Sequence, residues 1–224
     1  MQVADSVFCV EAVRRSELHA RGYTVLKGAA HLDEGTATRV KAPHYDEKGL
    51  PSGPDGAHDP RRQQSSDKSD RSTWIQEVKP LLTESLRTSG HLLCSKGGKV
   101  VKKVHALKSL PTPGYDEASS NRQEGDQGEH TDESADDLKP YMRGRGDEDM
   151  PLSVILAFMP GTRLRIRPFG GEWTVVRLEP GDLIVFRGDV CHHGMGYARE
   201  NIRIHAYVYS PDYKPGPSSI NPCS

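Results

Sequence analysis

Between Pro151 and Val208 the chain repeats one pattern, a short apolar run closed by a turn signal, and this cadence restricts the fold more than any other feature. Leu152 to Met159 stops at Pro160-Gly161-Thr162, Arg163 to Arg167 at Phe169 to Glu172, and Trp173 to Leu178 at Pro180-Gly181-Asp182. Leu183 to Phe186 follows that turn, and Ile202 to Val208 closes the series. Proline presets the backbone angle of a turn and glycine tolerates a positive one, so the chain reverses where they stand. Runs this short between reversals are strands rather than helices. The pattern predicts a mostly β protein built as an antiparallel sandwich or barrel.

The last run has two unlike faces. Ile202, Ile204, Ala206 and Val208 alternate with Arg203, His205 and Tyr207, a period of two that puts a cation, an imidazole and a phenol side by side. A cation on so apolar a strand is costly to bury without an anionic partner, so Arg203 reads as waiting for a carboxylate or phosphate. The alternative is an arginine on a solvated face. Upstream of it, Gly188, Gly194 and Gly196 bracket Cys191, His192 and His193, which places these imidazoles where a strand meets a loop.

The rest of the chain is organised around this β-rich part. In 1–42, Ser6 to Ala20 and Asp33 to Lys41 predict helices and Tyr23 to Leu26 a strand, a segment expected to pack on the core. Residues 43–72 are crowded with Pro, Gly, Ser and charges and read as a disordered insertion, its His44 and His58 merely solvated. The core is expected over 73–210. It begins with a supporting helix, Thr73 to Thr88, interrupted by Pro80, and a strand, Val100 to Leu110. Pro111 to Gly128 and Glu133 to Met150 read as loops, and 211–224 as a flexible tail. With only 34% apolar residues, the chain cannot be packed uniformly throughout its length.

A net charge of −1 gives no generic nucleic-acid or anionic-membrane signature. No run is apolar enough for a membrane span and no secretory signal is evident. Cys9, Cys94, Cys191 and Cys223 form no paired motif, so a disulfide scaffold is not expected and a soluble, intracellular, reducing setting is. Arg163, Arg165 and Arg167 alternate with Leu164 and Ile166; they form either a basic ladder for a polyanion or, as we read it, a solvated sheet face. Met159 and Trp173 read as core packing.

The chemistry centres on His130-Thr131-Asp132. On extended backbone, side chains two apart project to the same side, so His130 and Asp132 can grip one ion. Adding His192 gives two imidazoles and a carboxylate on one face of a metal, with open positions opposite, which suits non-haem Fe(II) enzymes. Zinc with three protein ligands and a water is the competing assignment.

From about Val100 to Val208, the order of these pieces resembles the double-stranded β-helix, a jelly-roll or cupin-like core, of the Fe(II)/2-oxoglutarate-dependent dioxygenases. The residues that carry the resemblance are HTD at 130 to 132, PLSVILAFMPGTRLRIRP at 151 to 168, and PGDLIVFRGDVCHHG with NIRIHAYV. It implies that His130, Asp132 and His192 ligate iron, and that Arg203 forms a salt bridge with the distal carboxylate of the co-substrate 2-oxoglutarate. It also implies that O2 is consumed and that substrate hydroxylation releases succinate and CO2. Of the doublet, His192 is preferred as ligand because it directly follows Val190-Cys191 as the family's distal histidine does; His193 is then left to orient substrate or a ligand. The chain departs from many family members at His205, where a small hydroxyl residue is common, and His205 joins Arg203 as a co-substrate-site candidate. The loops flanking the pair are expected to act as a substrate lid. The substrate is not legible, and two other readings stand beside this one: a cupin-like enzyme without 2-oxoglutarate, and a module that only binds a small acid.

Overall fold

The structure, a computed structural model, describes residues 17–41, 44–51, 58–65, 72–95, 97–119, 121–216 and 221–223. In chain order its elements are β1 (Tyr23–Leu26), α1 (Glu34–Lys41), β2 (Leu50–Pro51), β3 (His58–Asp59), β4 (Arg62–Gln64), α2 (Thr73–Thr88), β5 (Val100–Ser109), β6 (His130–Thr131) and α3 (Ala135–Tyr141). Then follow β7 (Leu152–Ala157), β8 (Thr162–Ile166), β9 (Thr174–Leu178), β10 (Leu183–Arg187), β11 (His192–Gly194), β12 (Asn201–Tyr209) and β13 (Asn221–Pro222). The predicted cadence of strands from Leu152 onward is therefore present, and the fold is mostly antiparallel β with few helices.

Six strands form the larger sheet in the order β1-β10-β7-β12-β5-β4, and five form the smaller one in the order β13-β6-β11-β8-β9. The alternation along each strand divides the interior. Val154, Leu156, Ile204, Ala206 and Val208 face away from the smaller sheet, into a core shared with Trp74, Val78, Leu82 and Leu86 of α2. Ile155, Ala157, Ile184 and Phe186 face the other way and meet Leu164, Ile166, Val176 and Leu178 of the smaller sheet. One strand thus serves two cores, and its side chains separate cleanly because the period is two.

Helix α2 runs through Pro80 rather than being interrupted there. Proline removes one hydrogen bond in a helix interior, to the carbonyl of Gln76; both residues are exposed, so water can satisfy that carbonyl. In β5 the pairing with β12 shifts register between His205 and Tyr207, opposite His105 and Lys102. Lys103 sits in that irregularity with φ of +46°, a left-handed conformation costly for a side chain with a Cβ and usual in a bulge.

Four features differ from the sequence reading. Within 43–72, expected to be disordered, β4 pairs with β5 and forms the outer strand of the larger sheet, while β2 and β3 pair with each other. The acidic segment after Glu133 contains α3, started by Ser134, whose hydroxyl accepts from the Asp137 backbone N–H at 3.0 Å. In the tail, β13 returns to pair with His130 and Thr131. Finally, although no disulfide scaffold was expected, Cys191 and Cys223 are bonded, with Cα atoms 5.7 Å apart, so the returning segment is tied beside His192. The predicted Ser6 to Ala20 helix lies mainly outside the described residues; 17–21 are helical.

Candidate metal centre

His130 and Asp132 flank Thr131 at the end of β6, and His192 opens β11 directly across from His130. Cross-strand neighbours on one face are close enough to touch, and here the two imidazole centroids are 4.5 Å apart. One donor atom from each of His130, Asp132 and His192 lies within 4.8 Å of the others, the one group of three such side chains so placed among the described residues.

The backbone selects which nitrogens face this point. Nδ1 of His130 lies 2.8 Å from the Gly128 carbonyl and Nδ1 of His192 lies 3.0 Å from that of Val190. A neutral ring that donates through Nδ1 keeps its lone pair on Nε2, the tautomer a metal requires. Phe186 packs against His192 at 4.6 Å and limits its rotation. Asp132 accepts a hydrogen bond from the Ser153 hydroxyl. Its carboxylate oxygens also lie 3.8 Å from His192 Nε2 and 3.6 Å from His205 Nε2.

Burial, helped by the neighbouring His192, pushes the His130 imidazole down to about 3, and burial lowers His192 as well. Burial would raise the Asp132 carboxyl, but His192, His205 and His130 together outweigh it and hold it well below the usual carboxylate range. The centre thus combines two neutral imidazoles with one ionised carboxylate whose side chain is only 6% exposed. A buried anion needs a cationic partner. Two nitrogens and one oxygen on one side of a shared point fit a divalent transition metal with its remaining positions open.

Arg203 and His205 project from β12 into the same space. Arg203 is 4% exposed; its Nη1 donates to Ser109 Oγ at 2.9 Å, and its guanidinium lies 5.6 Å from the Tyr197 ring centroid. Among the described residues no carboxylate pairs with it. A cavity of about 1170 Å³ is lined by His130, Asp132, His192, Arg203 and His205 together. The five residues singled out from sequence therefore line one cavity.

No protein-family model matches the sequence, and no curated protein does. Solved structures do match in three dimensions. A prolyl hydroxylase from Trichoplax adhaerens, in complex with a hypoxia inducible factor oxygen degradation domain peptide fragment, aligns at TM-score 0.60 and 11% identity, over 92% of this chain and 91% of that one. An oxidoreductase of the 2OG-Fe(II) oxygenase family from Burkholderia pseudomallei aligns at TM-score 0.60 and 14% identity, over 93% of both chains. The epimerase SnoN, in complex with Fe3+, alpha ketoglutarate and nogalamycin RO, aligns at TM-score 0.59 and 10% identity, over 99% of this chain and 96% of that one. The fold is the double-stranded β-helix of the 2-oxoglutarate/Fe(II) oxygenases.

Within this β-helix the histidine doublet divides. His193 turns away from the 130/132 pair and is fully buried, its ring centroid 5.5 Å from that of Trp173 at a tilt of 60°; Trp173 is only half-buried and therefore not core. Met159 does pack against the core, as expected. The Arg163 to Arg167 run is not a solvated face. Arg163 is 1% exposed, donating to the Glu117 and Gly196 carbonyls at 2.8 and 3.0 Å and sandwiched between Tyr115 and Tyr197. Arg165 and Arg167 lie over Trp173.

These contacts bear on the expected lid. The first flanking loop is fastened to the smaller sheet by Arg163 and Arg177, and is closed on itself by a Tyr115 hydroxyl bond to Asp126 at 2.7 Å. Of the described residues in the two flanking segments, Gln127, Glu133 and Asp137 line the cavity. Sequence reasoning missed Ser153 and Ser109, which hydrogen-bond the key side chains, because each is a single small polar residue within a strand run and neither carries a signal of its own. It also missed Arg62, which lines the cavity from within the supposed insertion.

Proposed function

We propose that this chain is an Fe(II)- and 2-oxoglutarate-dependent dioxygenase that hydroxylates its substrate with release of succinate and CO2. One observation carries the reading: an imidazole, imidazole and carboxylate group and a buried guanidinium with no carboxylate partner among the described residues open into the same cavity. His130, Asp132 and His192 would hold the metal, and the neighbouring fold supports iron as its identity. Bound there, Fe(II) with 2-oxoglutarate and O2 supplies the oxidising chemistry for C–H hydroxylation, which no amino-acid side chain provides.

The chain's own residues bind, orient and shield. The Gly128 and Val190 carbonyls hold both imidazoles as Nε2 donors, and Ser153 fixes the Asp132 carboxylate. Arg203 presents a planar fork to the distal carboxylate of 2-oxoglutarate, a contact stronger and more directional than a lysine could make. Ser109 keeps that fork from rotating. His205 lies between Asp132 and the Tyr207 ring, 4.7 Å away, and shapes the co-substrate site where many family members carry a small hydroxyl. Ile155 lines the cavity and Phe186 packs behind the His192 ring, apolar groups that keep water from the centre.

The substrate class calls for an untargeted screen that follows succinate formation. The test of the reaction itself is Arg203→Ala: 2-oxoglutarate-dependent succinate formation should vanish while metal binding survives. Turnover that ignores both 2-oxoglutarate and Arg203 would instead favour a cupin-like enzyme, and ligand binding without any turnover a small-acid-binding module.

A further inference from the structure

A second arginine reaches the same end of the cavity. Arg62 stands on β4, directly across from Ser109, the residue that holds Arg203. It is 3% exposed and lines the cavity. Its Nη2 donates to two carbonyls, Gly125 and Gly194, each at 2.7 Å, but its buried Nε has no partner among the described residues. The nearest carboxylate is that of Asp59, 3.9 Å from Nε, an ion pair too long to be a hydrogen bond.

Gly194 shows where the two guanidinium groups meet. A Cβ placed on it would come within 2.7 Å of Arg62 Nη1 and 3.4 Å of Arg203 Nη2, so the absence of a side chain there leaves room for both forks. Burial first, and then the charge of Arg203, pushes Arg62 down to about 10, so two buried cations repel one another across this gap. Arg163 shows how this chain partners a buried arginine that only has to hold structure: two carbonyls, two aromatic faces and a carboxylate at 3.5 Å, with its Nε, like that of Arg62, left without a hydrogen-bond partner among the described residues. Arg62 has two carbonyls but only the distant Asp59 carboxylate, and Arg203 has one hydroxyl and one aromatic ring; among the described residues neither donates a hydrogen bond to an anion.

We propose that Arg62 and Arg203 form a two-arginine subsite for the distal carboxylate of the co-substrate, with Arg62 as a second, specificity-determining anchor. The proposal rests on the 2-oxoglutarate reading and extends it. A carboxylate has two oxygens and accepts from two donors at once, so it relieves the repulsion between the cations while giving each a charge-assisted hydrogen bond. The subsite selects for dicarboxylic 2-oxo acids, because a ligand that ends in a methyl group leaves both cations as they are.

The test uses the full chain loaded with Mn(II), without turnover, and reads dissociation constants by calorimetry for 2-oxoglutarate and for 2-oxobutyrate, which lacks the distal carboxylate. Arg62→Gln should weaken 2-oxoglutarate at least tenfold and change 2-oxobutyrate and Mn(II) less than twofold. Equal weakening of both acids, or of neither, overturns the proposal and leaves Arg62 as a brace between Gly125 and Gly194. If the wild-type chain binds neither acid, the 2-oxoglutarate reading fails instead, which separates the two. Should Arg62→Gln lose its fold, Asp59→Asn carries the same test. Removing the competing carboxylate should tighten 2-oxoglutarate two- to threefold, and unchanged or weaker affinity counts against the subsite.

Discussion

Two buried polar centres, one around Arg163 and one around Asp132 and Arg203, are made of similar residues and differ in whether the protein completes them. Around Arg163, carbonyls, Glu117 and two tyrosine rings use the guanidinium within the chain itself. Around Asp132, two imidazole Nε2 atoms, an ionised carboxylate and a guanidinium bonded to Ser109 and lying over the Tyr197 ring face a cavity. Burying polar groups without partners costs stability. The first centre is closed by the chain's own groups except at the Arg163 Nε, whereas the second opens into a cavity, which is the difference the proposed function rests on.

The comparison breaks most readily at Asp132. Asp132→Ala should abolish Fe(II) or Mn(II) binding at micromolar concentrations and also make the metal-free chain less stable at neutral pH, because a carboxyl held below its usual range favours the folded state there and Ser153 loses its acceptor; titration calorimetry and urea denaturation check both halves. Next in size is Arg203→Met, expected to weaken 2-oxoglutarate by roughly a hundredfold, in line with about 2–3 kcal/mol for a charge-assisted contact, with no loss of folding stability. Arg163→Met should do the reverse: about 2–3 kcal/mol less stable, from hydrogen bonds lost by a charged donor, and unchanged in metal affinity. Ser153→Ala should weaken the metal about tenfold, the low end for partners that orient a ligand. The smallest effect belongs to His193→Phe, which should leave the metal Kd within twofold, since that ring faces Trp173.

How far the sequence revealed this contrast depended on how local each signal was. The strands from Leu152 to Val208 were readable because turn residues and two-residue alternation are written in consecutive positions. His130, Asp132 and His192 were readable because a spacing of two and the order of strands predict their meeting. Arg163 misled because alternation marks a face but not what covers it, and its cover includes Glu117, 46 residues upstream. Strands β4 and β13 are three and two residues long, and exist through pairing with β5 and β6 rather than through any propensity of their own. Helix α3 was hidden by its acidic composition, although Ser134 followed by acids in the first turn is a helix-start signal. Arg62 was lost with β4, so the edge strand that composition dismissed as linker is also the one that completes the cationic end of the cavity.

The central claim, that the open centre takes a metal and a 2-oxo acid together, is tested most directly by anaerobic titration of the chain with Fe(II) and then 2-oxoglutarate, followed in the visible range. The account predicts a metal-to-ligand charge-transfer band that appears only with both present and saturates at one equivalent of each per chain. A spectrum unchanged by 2-oxoglutarate, with iron bound, would contradict it.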